Sequence, residues 1–152
     1  MRRLVPVAGG LALVAGAAVG VALAFRGGDA ALTPEEYLDR ASAVCVTYAR
    51  QMDAIAPPDP TSAKDVVASV SRALPILEAQ AEAVRRLRAP RELEASVRAF
   101  FTRTDRSLAA LTAQLAAAKQ GDGPAMKARF AEWLAASADA QSASRRVGYR
   151  CG

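Results

Sequence analysis

The sequence contains no histidine and no asparagine, and among its 152 residues there are only two cysteines and one tryptophan. Without histidine the chain lacks the usual general base, the Ser-His and Cys-His nucleophile pairs and the commonest metal ligand. A haem would depend on an axial tyrosine or methionine. The residues available for that role are Tyr37, Tyr48, Tyr149, Met52 and Met126. We therefore expect no enzyme activity, no metal site and no cofactor.

The acidic residues form no pair that indicates general acid–base catalysis. Glu78 and Glu82 lie four residues apart and within reach of Arg85 and Arg86, and Glu92 follows shortly after. Carboxylates and guanidinium groups at such spacing on a helix form solvated ion pairs. These carboxylates, together with Glu94, are therefore predicted to lie at the surface.

The net charge of +5 overstates how basic the folded part is. Arg2, Arg3 and Arg26 flank an apolar segment, and without these three the chain has 17 basic and 15 acidic residues, a net of +2. Basic residues do not alternate with aromatic ones in any stretch. Nucleic acid is therefore not an expected partner.

Residues 4–25 carry no charge, and as a helix they would span roughly 33 Å, close to the thickness of the hydrocarbon core. Arg2 and Arg3 precede the segment, which predicts a cytoplasmic amino terminus and an exported remainder. The segment either remains as a single-pass anchor or is cleaved near Ala24, where Ala22-Leu23-Ala24 fits a signal-peptidase site. The predicted division is 1–28, anchor or signal peptide with a short joint, and 29–152, an extracytoplasmic domain.

Four stretches of the exported part repeat apolar residues every three or four positions, the period of an amphipathic helix. They cover 33–55, 62–87, 91–119 and about 124–147, and Thr33, Pro34 and Glu36 form a capping box at the first start. The predicted inward faces are Leu38, Ala41, Cys45, Tyr48, Met52 and Ile55; Val66, Val70, Leu74, Leu77, Ala81 and Val84; Leu93, Val97, Phe100, Thr104, Leu108, Leu111 and Leu115; and Met126, Phe130, Trp133, Leu134 and Ser137. Short turns predict antiparallel neighbours. The expected fold is all-α, an up-down-up-down four-helix bundle preceded by the transmembrane or signal helix.

Both cysteines fall on the exported side, where thiols oxidise. A disulfide between Cys45 and Cys151 would close a loop of about 106 residues, worth roughly 4 to 5 kcal/mol in the chain-entropy model. Free thiols and pairing between two chains are the alternatives. The bond would require residues 33–41 to project as a stalk, or the carboxyl tail to fold back beside them.

The order of these parts resembles one group of proteins. Its marks are the apolar amino-terminal segment, Thr33-Pro34-Glu35-Glu36-Tyr37, Cys45 in the first helix, a proline-rich turn, Leu87-Arg88-Ala89-Pro90 and the terminal Cys151-Gly152. The chain is similar to uncharacterised, secreted or membrane-anchored helical proteins of high-GC Gram-positive bacteria. The resemblance implies an extracytoplasmic helical domain tied by a disulfide, and it implies no activity.

Two groups of arginines are predicted to meet at the end of the bundle that faces the membrane. They are Arg85, Arg86, Arg88 and Arg91, and Arg145, Arg146 and Arg150, with Arg26 beside them. One hypothesis is that this basic end contacts anionic lipid headgroups; the other is that these residues complement helix dipoles and face water.

The aromatic residues leave a second hypothesis open. Phe100, Phe101, Phe130, Trp133, Tyr48 and Met52 either line a pocket for a small apolar ligand or pack as ordinary core. The predicted function is a non-enzymatic, membrane-tethered interaction or envelope module with a protein partner in the envelope; the alternative is a carrier of a small apolar ligand.

Overall fold

A computed structural model describes residues 32–150, and these form four α-helices with no strand among them. The helices are α1 (Pro34–Met52), α2 (Ala63–Arg85), α3 (Arg91–Gln120) and α4 (Gly123–Val147). The predicted all-α class is confirmed for this part of the chain. None of the four helices has both the length and the apolar character of a membrane span. The apolar segment 4–25, Arg26 and Cys151 lie outside the described residues.

The helix ends follow from local signals in the sequence. The Thr33 hydroxyl accepts a hydrogen bond from the Glu36 backbone N–H at 3.2 Å, and the Glu36 carboxylate accepts one from the Thr33 backbone N–H at 2.9 Å. The predicted capping box is therefore confirmed, and its hydrogen bonds lower the pKa of the Glu36 carboxyl. Gly148 ends α4 with a φ of +98°, the left-handed conformation that favours glycine.

Two clusters of buried side chains show how the helices run. We call one the distal cluster: Val66, Val70, Leu111, Leu115, Ala117, Ala118 and Met126. The other, the terminal cluster, contains Tyr37, Ala41, Val84, Val97, Val147 and Tyr149. The terminal cluster joins the start of α1, the end of α2, the start of α3 and the end of α4. Consecutive helices therefore run in opposite directions, as predicted from the short turns.

The first helix covers only the terminal half of the bundle. No α1 residue belongs to the distal cluster, where α2, α3 and α4 pack without it. The segment after α1 lies against α2 instead: Ser69 Oγ donates to the Ala56 carbonyl at 2.9 Å, and Arg72 donates to the Ala54 carbonyl at 3.3 Å. Tyr48, predicted to face inward, is consequently only half-buried.

The predicted inward face of α4 is wrong at one position. Leu134 is 50% exposed, whereas Met126 is 1% exposed. The second half of α4 packs through small residues, Ala136 and Ala143, which bring its backbone close to α3. The periodicity of large side chains predicts that Leu134 faces inward, and it does not identify these alanines as buried.

Candidate interaction surface

The two arginine groups predicted from the sequence meet at one end of the bundle. The first group lies around Leu87, Ala89 and Leu93, which pack against the terminal cluster. The second group lies around Val147 and Tyr149, which belong to that cluster. We call this surface the basic end. Its described members are Arg85, Arg86, Arg88, Arg91, Arg145, Arg146 and Arg150. The start of α1 lies at the same end.

Two members of the basic end are held by partners within the bundle. Arg85 forms an ion pair with Asp105, and its guanidinium lies 4.8 Å from the centre of the Phe101 ring. Arg86 pairs with Glu82, four residues earlier, at 3.3 Å. Of the predicted solvated ion pairs, the one between Glu82 and Arg86 is therefore present, whereas Glu78 forms none in the described part and Arg85 pairs with Asp105 instead. A further pair joins Arg98 and Glu94 at 2.9 Å.

The other five members are exposed and carry no ion pair with any residue of the described part. They are Arg88, Arg91, Arg145, Arg146 and Arg150. Their charges are exposed to an external anion, although two exposed carboxylates without an ion pair in the described part, Glu35 and Glu92, lie at the same end.

A pair of tyrosines connects the two ends of the described chain beneath this surface. The Tyr37 and Tyr149 hydroxyls are 2.6 Å apart, and the side chains are 0% and 6% exposed. The Phe100 ring meets the Tyr149 ring edge to face at 5.1 Å. Burial raises the pKa of both hydroxyls, because ionisation would place a charge in the core. The neutral pair therefore acts as a structural contact between α1 and the carboxyl tail.

The tail after α4 folds back along α1. The Arg150 backbone N–H donates to Ser42 Oγ at 3.1 Å, one turn before Cys45, which is 5% exposed. Residues 33–41 therefore do not project as a stalk, since Tyr37 and Ala41 are both fully buried. Of the two arrangements compatible with the predicted disulfide, the structure contains the second. The bond itself remains a prediction, because Cys151 lies outside the described residues.

The six residues considered for an apolar pocket do not come together. Phe100 and Phe101 pack against the terminal cluster, while Trp133 packs against the distal cluster and lies 5.7 Å from Phe130 between ring centres. Tyr48 and Met52, the other two, are half-buried on α1. The aromatic side chains are therefore divided between two cores.

A shallow groove of about 480 Å³ lies between α3 and α4. Its lining combines alanines with charged residues: Arg106, Ala109, Ala110, Ala113, Arg129, Glu132, Ala135, Ala136 and Asp139. A smaller groove of about 270 Å³ lies between the same two helices, lined by Ala95, Ser96, Ala99, Arg103, Ala143 and Arg146. Both result from the small residues that bring α3 and α4 together. Gln114, whose buried Nε2 has no hydrogen-bond partner in the described part, lines neither groove.

Within residues 32–150, no three acidic or cysteine side chains converge as metal ligands would. No protein-family model, no curated protein and no solved structure matches the chain. The resemblance drawn from the order of sequence features therefore remains a prediction. The features that bear on function are the geometry of the basic end and the apolar segment before it.

Proposed function

We propose that residues 29–152 form an extracytoplasmic helical domain that is tethered to the membrane through residues 1–28. In this proposal the domain is a non-enzymatic interaction module of the cell envelope. Its specific partner is a protein presented on the same side of the membrane. The position of the tether defines which end of the bundle faces the bilayer and which surfaces face a partner.

The observation that supports the proposal is the convergence of both ends of the described part, residues 32–150, at the terminal cluster. Tyr37, near the start of α1, and Tyr149, at the carboxyl tail, share a buried hydrogen bond there. The apolar segment joins the bundle at this end, so α2, α3 and α4 extend away from the attachment point. The distal cluster and the groove between α3 and α4 are then on the part of the surface that a partner can reach.

A fractionation and crosslinking experiment on the full chain tests the proposal. Cells that express the tagged chain are crosslinked, and their membranes are washed with high salt and carbonate before purification. We expect the chain to stay with the membrane and an envelope protein to be recovered crosslinked to it. A chain found in the cytosol would contradict the proposal. The mass of the recovered chain distinguishes an intact anchor from cleavage near Ala24 and secretion.

The alternative, a carrier of a small apolar ligand, requires a concave and mostly apolar pocket. The division of Phe100 and Trp133 between separate cores does not favour it. Native mass spectrometry of the purified chain distinguishes the two functions, since a carrier would retain a lipid or pigment that adds to the protein mass.

A further inference from the structure

We propose that the basic end is a docking surface for anionic phospholipid headgroups. The inference deepens the proposed function and rests on it, because it names what the membrane-facing end of the tethered domain contacts. The partner chemistry is a bilayer surface that displays phosphodiester anions. The residues assigned to it are the five exposed, unpaired arginines of the basic end.

Helix dipoles account for only some of these arginines. Arg145 and Arg146 lie in the last turn of α4, where a cation is stabilised by the partial negative charge of the helix end. Arg91 is the first residue of α3, where the partial charge is positive and disfavours a cation. Arg88 belongs to no helix, and Arg150 follows the end of α4. A common external anion explains all five positions.

Ion pairing alone does not single out these arginines, because Arg50 and Arg106 are also exposed and form no ion pair in the described part. Arg85, Arg86, Arg98 and Arg129 each have a carboxylate partner. The five of the basic end are distinguished by their position, since they lie together at the end where the chain continues toward the apolar segment. A charged surface that served only solubility would not need this concentration at the attachment point.

The length of the joint brings the surface within reach of the bilayer. Residues 26–31 connect the apolar segment to Leu32, which packs against the terminal cluster. Six residues reach about 20 Å when fully extended. The attraction of an arginine to an anionic leaflet extends over a Debye length, about 8 Å at physiological salt. A joint of this length therefore allows the basic end to come within that distance of the bilayer.

The test uses the full chain inserted in lipid nanodiscs. Hydrogen–deuterium exchange of residues 86–91 and 145–150 is compared in discs of phosphatidylcholine alone and in discs that also contain phosphatidylglycerol. We expect slower exchange in the anionic discs and loss of this difference at high salt. Peptides from the distal cluster report on global stability and should exchange equally in both discs.

Two charge-matched variants make the test specific. One replaces Arg88, Arg91, Arg145 and Arg146 with glutamine; the other replaces the exposed Arg50, Lys64, Lys119 and Lys127. Each loses four positive charges. The docking equilibrium constant should fall about fivefold for each arginine removed from the basic end. The second variant should keep the protection seen in anionic discs.

The outcomes separate this inference from the proposal it depends on. Equal exchange in the two discs, or equal loss in both variants, would overturn the lipid assignment while leaving the tether intact. Protection by inorganic phosphate in phosphatidylcholine discs would also overturn it, because the site would then recognise a free anion. A chain that does not enter the discs would overturn the tether and this inference together. Thermal unfolding monitored by circular dichroism confirms that both variants fold.

Discussion

Tyr37 and Tyr149 form a contact between two parts of the chain that are distant in sequence. They lie 112 positions apart and share a hydrogen bond in the terminal cluster. The inward face predicted for α1 began at Leu38 and did not include Tyr37. The four-residue spacing of Tyr37, Ala41 and Cys45 indicates that Tyr37 belongs to the inward face. No local pattern, however, identifies a partner 112 residues away.

Replacing one of these tyrosines with phenylalanine should destabilise the bundle. Tyr37→Phe or Tyr149→Phe leaves the other hydroxyl buried without its partner, at a cost of about 1–3 kcal/mol. The double variant should lose less than the sum of the two, because it leaves no buried hydroxyl unpaired. Urea unfolding of the four proteins measures the coupling. Tyr48→Phe, at a half-buried position, is the control, and additive single effects would contradict the account.

The same pair predicts a dependence of stability on alkaline pH. Burial raises the pKa of both hydroxyls above the unfolded value of 10. Above pH 10 the unfolded chain therefore loses protons that the folded chain keeps, and the free energy of unfolding falls as pH rises. The contribution is complete below pH 10. Urea titrations across this range should show a smaller decline in the double phenylalanine variant, and equal slopes would contradict the prediction.

At the scale of elements, the helix starts and the end of α4 were the most predictable features, whereas α1, predicted to reach residue 55, ends at Met52. Thr33 with Glu36, and Gly148 after α4, are local capping signals that need no tertiary contact. The inward face of α4 was less predictable, since its packing depends on how closely α3 approaches. Ala136 and Ala143 are buried by that approach, although their hydrophobicity alone does not select them. The antiparallel order predicted from short loops correctly brought the two arginine groups to one end.

Two substitutions on α4 compare a large side chain that is buried with a large side chain that is exposed. Met126→Ala should cost about 2–5 kcal/mol, because it opens a cavity in the distal cluster. Leu134→Ala should change stability by no more than about 0.5 kcal/mol, since the side chain is half-exposed. The urea unfolding midpoints of the two variants measure these two changes in stability. A large loss at Leu134 would indicate that a surface partner or a different packing covers it.

At the scale of the whole molecule, the bundle is closed where its first helix and its tail meet. Arg150 already contacts Ser42, one turn before Cys45, and no cysteine is free in the described part. The predicted bond to Cys151 would fix α4, whose later turns bury only small side chains and Val147. The predicted amino-terminal transmembrane or signal helix remains a prediction, since residues 4–25 lie outside the described part.

The predicted disulfide has a direct chemical test. The purified, unreduced chain should be a monomer that a thiol reagent modifies only after treatment with a reductant. Reduction, or Cys45→Ala with Cys151→Ala, should lower the free energy of unfolding by up to about 4–5 kcal/mol. Reagent uptake without reductant, or a covalent dimer, would contradict an intramolecular bond.

The side of the membrane on which the bundle lies can be measured through its lysines. The chain has three lysines, Lys64, Lys119 and Lys127, and all are exposed on the folded domain. A membrane-impermeant amine reagent is applied to intact cells, and the labelled positions are identified by mass spectrometry of the purified chain. The account predicts labelling of these lysines in intact cells. Labelling that occurs only after the cells are lysed would contradict it.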